Sequence, residues 1–198
     1  MNYGEIKHNL ISLGFAEEDD YAEYEELGYT YDAINRAIDI IRTDFPYVDW
    51  YEFELDDTDT GPFELDMAVS APGFIELAKD TPVRIVANGQ DVFQPFSEYE
   101  IKMDRVLHIN ADRNKGTFRV YYNRTCTTIG PETADTFIPE IPIKVHHLIP
   151  LLAAYYLWLD DDVAKATQYQ NLYEEKLVSV IQKENAPRMR VNTDWRGL

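Results

Sequence analysis

Twelve residues from Leu148 to Leu159 carry no charge, and three aspartates, Asp160, Asp161 and Asp162, follow them directly. Few sequences constrain a fold as tightly. The run is too short to span a bilayer, so its apolar side chains must be buried in protein. Pro150 is tolerated only in the first turn of a helix, which puts the start of this one near His147. Its apolar residues lie on nearly all sides, so the helix belongs at the centre of the molecule or against neighbouring subunits. The aspartates break it and supply the next N-terminus, where carboxylates meet free amides and the positive end of the helix dipole. From Val163 to Lys183 the residues Ala166, Tyr169, Tyr173, Leu177, Val180 and Ile181 form one stripe. Two helices joined by so short a link lie antiparallel. The chain from Val145 to Lys183 is therefore expected to be a helical hairpin.

The N-terminal region also reads as helix. Asn2 and Glu5 have capping-box spacing, Ile6, Leu10 and Leu13 share a face, and Gly14 suits a left-handed C-terminal cap. The acidic stretch Glu17 to Glu26 reads as a solvated loop or a short exposed helix. A second helix is expected with Thr30 as N-cap, one apolar stripe of Tyr31, Ile34, Ile38, Ile41 and Phe45, and an end at Pro46.

From Trp50 the period becomes two. Tyr51, Phe53 and Leu55 alternate with Glu52 and Glu54, and Asp56 to Pro62 is a turn from which Phe63 to Val69 can return as the partner strand. Val83 to Ala87, Tyr99 to Met103 and Phe118 to Tyr122 are further strands, with turn chemistry at Asn114-Lys115-Gly116 for an antiparallel connection. Ile138 to Pro142 is an extended bridge. The expected fold is α+β: a helical bundle of N- and C-terminal helices carrying a mostly antiparallel β insertion. The expected segments are 1–49 and 140–185 for the bundle, 50–139 for the insertion and 186–198 for an extended tail.

The formal charge of −18 is unevenly spread, since residues 1–66 hold 19 acidic and 3 basic side chains. Such a surface repels phosphate and excludes nucleic-acid binding by counterion release. It fits a channel through which DNA slides without sticking, a DNA-mimic inhibitor of a DNA-binding protein, or simple solubility. Cys126 is the only cysteine, so no intramolecular disulfide forms and a reducing compartment is the natural setting. No basic segment leads into an apolar stretch at the start, so no secretory signal is expected, and the protein should be made in the cytoplasm.

Catalytic and metal-binding patterns are weak. Among His8, His108, His146 and His147 only the last two are close in sequence, and adjacent helical residues diverge by about 100°. They read as a polar lead-in to a buried helix. Asp56, Asp57 and Asp59 before Gly61 approach a calcium loop, but Thr58, Thr60 and Met67 stand where ligands are needed. A turn is the stronger reading, with a weakly held surface cation as the alternative. Cys126 reads as a buried strand cysteine, since a nucleophile needs a histidine base. No phosphate-cradling glycine loop, nucleophile elbow or zinc cluster is present. No catalytic residue, cofactor or metal site is expected.

The run Ile141-Pro142-Ile143-Lys144-Val145-His146-His147-Leu148-Ile149-Pro150, continuing through Leu151 to Asp162 and then Ala164 to Gln182, resembles the closing helices of bacteriophage head–tail adaptor proteins, also called head-completion or connector proteins. Ala33-Ile34-Asn35-Arg36-Ala37 looks like their second helix. The resemblance implies a structural, non-enzymatic virion protein. It implies a ring of about twelve copies, docked beneath the portal protein at the neck and presenting a platform to the tail or a second neck protein. DNA passes through the lumen unbound, and assembly takes place in the host cytoplasm without a membrane. In that setting the tail residues Arg188, Arg190, Trp195 and Arg196 are of the types that anchor contacts to the portal or a neighbouring subunit.

Overall fold

The computed structural model describes residues 1–13, 28–87 and 91–185, and places five α-helices and eight strands among them. The chain divides into two compact units. One comprises Met1–Ala37, Gly130–Phe137 and Ile143–Leu198; the other comprises Ile38–Ile129 and Ile138–Pro142.

In the helical unit, α1 (Tyr3–Ser12) opens on a complete capping box. The Glu5 amide donates to Asn2 Oδ1 at 2.8 Å, and the Asn2 amide donates to Glu5 Oε2 at 2.9 Å. Tyr3, Ile6 and Leu10 are its buried face; Gly14 and the acidic stretch 17–26 lie outside the described residues. The second helix, α2 (Tyr29–Asp44), begins before the residue expected to cap it. Its first bond runs from the Asp32 amide to the Gly28 carbonyl, so Gly28 takes the capping position and Thr30 is buried within the first turn. The stripe is as expected in Ile34, Ile38, Ile41 and Phe45, all buried, with Ala33 and Ala37 beside them.

The C-terminal hairpin is present. A 3₁₀ turn over Ile143–Leu148 precedes α4 (Ile149–Trp158), with Pro150 in the first turn, where its missing N–H costs nothing. The last helix, α5 (Val163–Asn185), is started by Asp162, whose Oδ1 accepts the Lys165 amide at 3.0 Å. Ala166, Tyr169, Tyr173 and Val180 are buried and Leu177 is half-buried, whereas Ile181 is exposed. The Tyr169 hydroxyl donates to the Leu13 carbonyl, tying α5 to the end of α1. Removing the cap by Asp162→Ala should cost about 1 kcal/mol, read as a lower urea midpoint with an unchanged slope.

The other unit corrects the expected architecture. It is no insertion within a helical bundle, for it contains all eight strands in two antiparallel sheets around a core of its own. The strands are β1 (Val48–Leu55), β2 (Pro62–Asp66), β3 (Phe74–Leu77), β4 (Val83–Val86), β5 (Phe93–Pro95), β6 (Tyr99–Lys102), β7 (Val106–Asn110) and β8 (Gly116–Arg124). The larger sheet has the order β1-β8-β4-β5, with β3 on β8 beside β4; the smaller has the order β2-β7-β6. A one-turn helix, α3 (Met67–Ser70), stands where the expected return strand would have continued, capped by the Asp66 carboxylate on the Ala68 amide. The physical reason for the correction is that both sheets have an apolar inner face. Leu55, Val83, Phe118, Val120 and Tyr122 meet Leu65, Leu107 and Ile109, which lets the sheets bury one another without help from a bundle.

Pairing also differs from expectation. β1 does not pair with β2 but with β8, from Val48 opposite Asn123 to Leu55 opposite Gly116. Asn114-Lys115-Gly116 links the two sheets and closes no hairpin. The tight hairpin is instead β6–β7, where Met103 and Asp104 both have positive φ, as a type I′ turn requires. Gly73, at φ +67°, is needed where the chain enters β3, because a Cβ there would lie 2.6 Å from Thr125 Oγ1.

Candidate assembly surfaces

The outer face of the larger sheet gathers aromatic rings and guanidinium groups. In a strand, alternate residues face opposite ways, so β1 sends Phe53 and Leu55 toward the core by steps of two while Trp50 and Glu52 point out. β8 does likewise, with Phe118 and Val120 inside and Arg119 and Tyr121 outside. Register places Trp50 directly opposite Tyr121, ring centroids 6.5 Å apart, and Glu52 opposite Arg119. Arg119 Nε donates to Glu52 Oε2 at 2.7 Å, and its guanidinium lies 5.1 Å from the Trp50 ring and 3.8 Å from that of Phe93. The Glu52 bond holds the Arg119 pKa above its usual value.

Arg84, opposite Arg119 on β4, stacks 4.5 Å from the Tyr121 ring and has no ion pair with a carboxylate among the described residues. Trp50 is 49% exposed. Trp, Tyr and Arg are the residue types that dominate binding energy at protein interfaces.

A cleft of about 540 Å³ adjoins this face, lined by Arg42, Ile75, Arg84, Tyr121, Asn123 and Arg124 among others. Two of its cations are already bound. Arg42 Nη2 is 3.0 Å from Asp39 Oδ1, and Arg124 Nη1 is 2.9 Å from Asp49 Oδ2. The Asp49 bond is the main reason the Arg124 pKa is raised. Asn123 Nδ2 donates to Glu76 Oε1 at 2.9 Å. Arg84 differs from Arg42 and Arg124 in being held by a ring and not by an acid.

The helical unit has apolar side chains turned to solvent. Ile143 is 76% exposed and Val163 65%, with Val178 and Ile181 also exposed on α5. On α4, Ile149, Leu152, Ala153 and Ala154 are buried, while Leu151, Tyr155, Leu157 and Trp158 are half-buried. Cations cover part of this surface: Lys165 Nζ lies 3.4 Å from the Trp158 ring, and Arg36 lies 4.1 Å from that of Tyr156. A second groove, of about 390 Å³, opens beside Tyr156 at the α4–α5 turn.

Arg188, Arg190, Trp195 and Arg196 lie outside the described residues. His146 is buried with Nδ1 3.0 Å from the Met1 carbonyl oxygen. Burial lowers the pKa of His147. His108 instead pairs across strands, Nδ1 3.1 Å from Glu64 Oε1. Among the described residues no three His, Cys, Asp or Glu side chains stand close enough to hold a metal ion.

The acidic turn folds around an ammonium group. Lys115 Nζ donates to the carbonyl oxygens of Asp56 and Asp59, while Asp56 Oδ1 accepts the Thr58 amide and hydroxyl. The Thr58 hydroxyl is the main cause of a lowered Asp56 pKa.

Cys126 is not in a strand; it follows β8, half-buried, with Sγ 3.3 Å from the Glu140 carbonyl oxygen. Burial pushes its thiol up to about 11, the opposite of what a nucleophile needs. At pH 8, iodoacetamide should therefore label the folded chain about a hundredfold more slowly than the urea-unfolded chain, in proportion to the thiolate fraction. Because the folded thiol holds its proton more tightly, stability should be full below pH 9 and fall as pH rises toward 11.

Sequence reading missed the Arg–aromatic face because its members come from four strands. No helix among the described residues is long and apolar enough to cross a membrane. Comparison of the chain with family models and with curated proteins finds no match.

Proposed function

We propose that this chain is a structural subunit of a tailed-bacteriophage virion, an adaptor that forms a ring beneath the portal, extends the DNA channel and connects head to tail. The observation that carries the reading is the cluster of exposed Trp50 with half-buried Arg84, Phe93, Arg119 and Tyr121 on the larger sheet. Such a face, with exposed Ile143 and Val163 on the helical unit, supplies apolar area and stacking groups to partners. It suits a protein that meets more than one neighbour. The resemblance of the hairpin to the closing helices of head–tail adaptors supplies the particular assembly.

The acidic character fits the same reading. Of the carboxylates in residues 1–66, Asp49 and Glu52 are bonded to Arg124 and Arg119. An inhibitor that mimics DNA would present such groups free and regularly spaced to a basic partner. The internal use of these two carboxylates runs against the mimic.

The test is direct. Mixed with the portal protein of the same phage, the chain should add a ring to one end of the portal in negative-stain images and co-sediment with it. Portal particles without an added ring at saturating chain would reject the adaptor reading. Tight, salt-sensitive capture of a DNA-binding protein in its place would establish the mimic.

A further inference from the structure

Among the described residues, the groove at the α4–α5 turn is lined by more carboxylates than cations. Tyr29, Asp32 and Arg36 from the first turns of α2 line one side, and Tyr156, Asp160 and Asp161 line the other. The Arg36 guanidinium lies flat enough on Tyr156 to be 4.1 Å from the ring centroid. None of the three aspartates forms an ion pair with a described residue, so three carboxylates face one cation. A groove with tyrosines, an excess of carboxylates over described cations and one guanidinium already stacked on a ring suits further arginine side chains.

The chain itself carries such a ligand. Residues 186–198 hold Arg188, Arg190 and Arg196 against a single acid, Asp194. Where this segment begins decides which groove it can use. α5 is 23 residues long, about 34 Å at 1.5 Å per residue, and the groove is at its N-terminal end while the tail leaves its C-terminal end. Fully extended, the chain beyond Asn185 reaches about 11 Å by Arg188 and about 18 Å by Arg190. Neither can reach the groove of its own copy; Arg196, up to about 40 Å out, could span that distance and is not one of the inserted side chains inferred below.

We infer that the C-terminal segment of one copy docks in the groove between Asp32 and Asp160–Asp161 of a second copy, with Arg188 and Arg190 as the inserted side chains. The two surfaces are different, so the contact is head-to-tail. Repeated with rotation, it closes a ring. The inference deepens the ring reading proposed above and names the segment and the groove that join neighbouring copies.

The test uses a fluorescein-labelled synthetic peptide of residues 184–198 titrated into the dilute full-length chain, followed by anisotropy. Saturable binding is expected, weakened about tenfold by Asp160→Asn with Asp161→Asn, and by about as much when Arg188 and Arg190 of the peptide become serine. Asp162, which caps α5, is left in place, and circular dichroism checks that the double variant folds; the peptide variant carries the same question without touching the fold. No binding up to about 1 mM, or binding indifferent to both sets of changes, would overturn the inference. The outcome is independent of the portal. Peptide binding with no ring on the portal would retain this contact and reject the adaptor reading, while a ring on the portal without peptide binding would do the reverse.

Discussion

Phe118→Ala should lower the stability of the β unit by about 3–5 kcal/mol, the range for removing a fully buried phenylalanine. The side chain, third of nine in β8, is wholly inaccessible. The Phe53 ring stacks on it at 5.4 Å and the Phe96 ring meets it edge-on at 5.1 Å. Phe53 also stacks on Phe63 of the opposite sheet at 5.0 Å, so the ring is part of a chain of aromatics that crosses from one sheet to the other. Alanine would leave a void that neighbours tied into two ladders cannot collapse to fill. Phe118→Leu keeps most of the volume and should cost about 1–2 kcal/mol. Urea denaturation followed by tryptophan fluorescence reads both. An alanine cost as low as the leucine cost would mean that the aromatic chain between the sheets does not depend on the Phe118 ring.

Trp50→Ala should do the reverse, sparing the fold and disabling assembly. Half of the side chain faces solvent, and within the chain it touches mainly Tyr121 and Arg119. Its removal should cost about 1 kcal/mol of stability or less, as for an exposed aromatic pair. At an interface, truncating a central tryptophan costs about 2–4 kcal/mol, roughly a 30- to 1000-fold loss of affinity. Binding to portal particles, measured by co-sedimentation over a range of chain concentrations, should show that loss while the melting transition stays nearly in place. Unchanged binding would remove the sheet face from the interface.

Much of the helical structure was legible because its signals are local. The Asn2–Glu5 box, the Ile34–Ile38–Ile41 stripe and the Pro150 start each involve residues within one or two turns, and the same residues act in the structure. Strand existence was also readable where alternation was long, as in β1 and β8. Strand partners were not. Phe53 and Phe63 are both apolar and flank a turn, which suggests a hairpin, yet they face each other across the core from different sheets. β3 and β7 begin on adjacent apolar pairs, Phe74–Ile75 and Val106–Leu107, and β5 is the tripeptide Phe93–Pro95, so none of them shows the two-residue alternation. The Arg–aromatic face could not be read at all, since positions 50, 84, 93, 119 and 121 become neighbours only through the register of β1, β8, β4 and β5.

The loop between β1 and β2 has a consequence for the medium in which the protein works. A calcium-dependent turn forms only when the free ion is plentiful, and it opens when a chelator removes the ion. Lys115 is joined to the loop by the chain itself, so its local concentration is fixed by geometry and does not fall on dilution. The place where the chain passes from one sheet to the other should therefore keep its shape as divalent ions come and go.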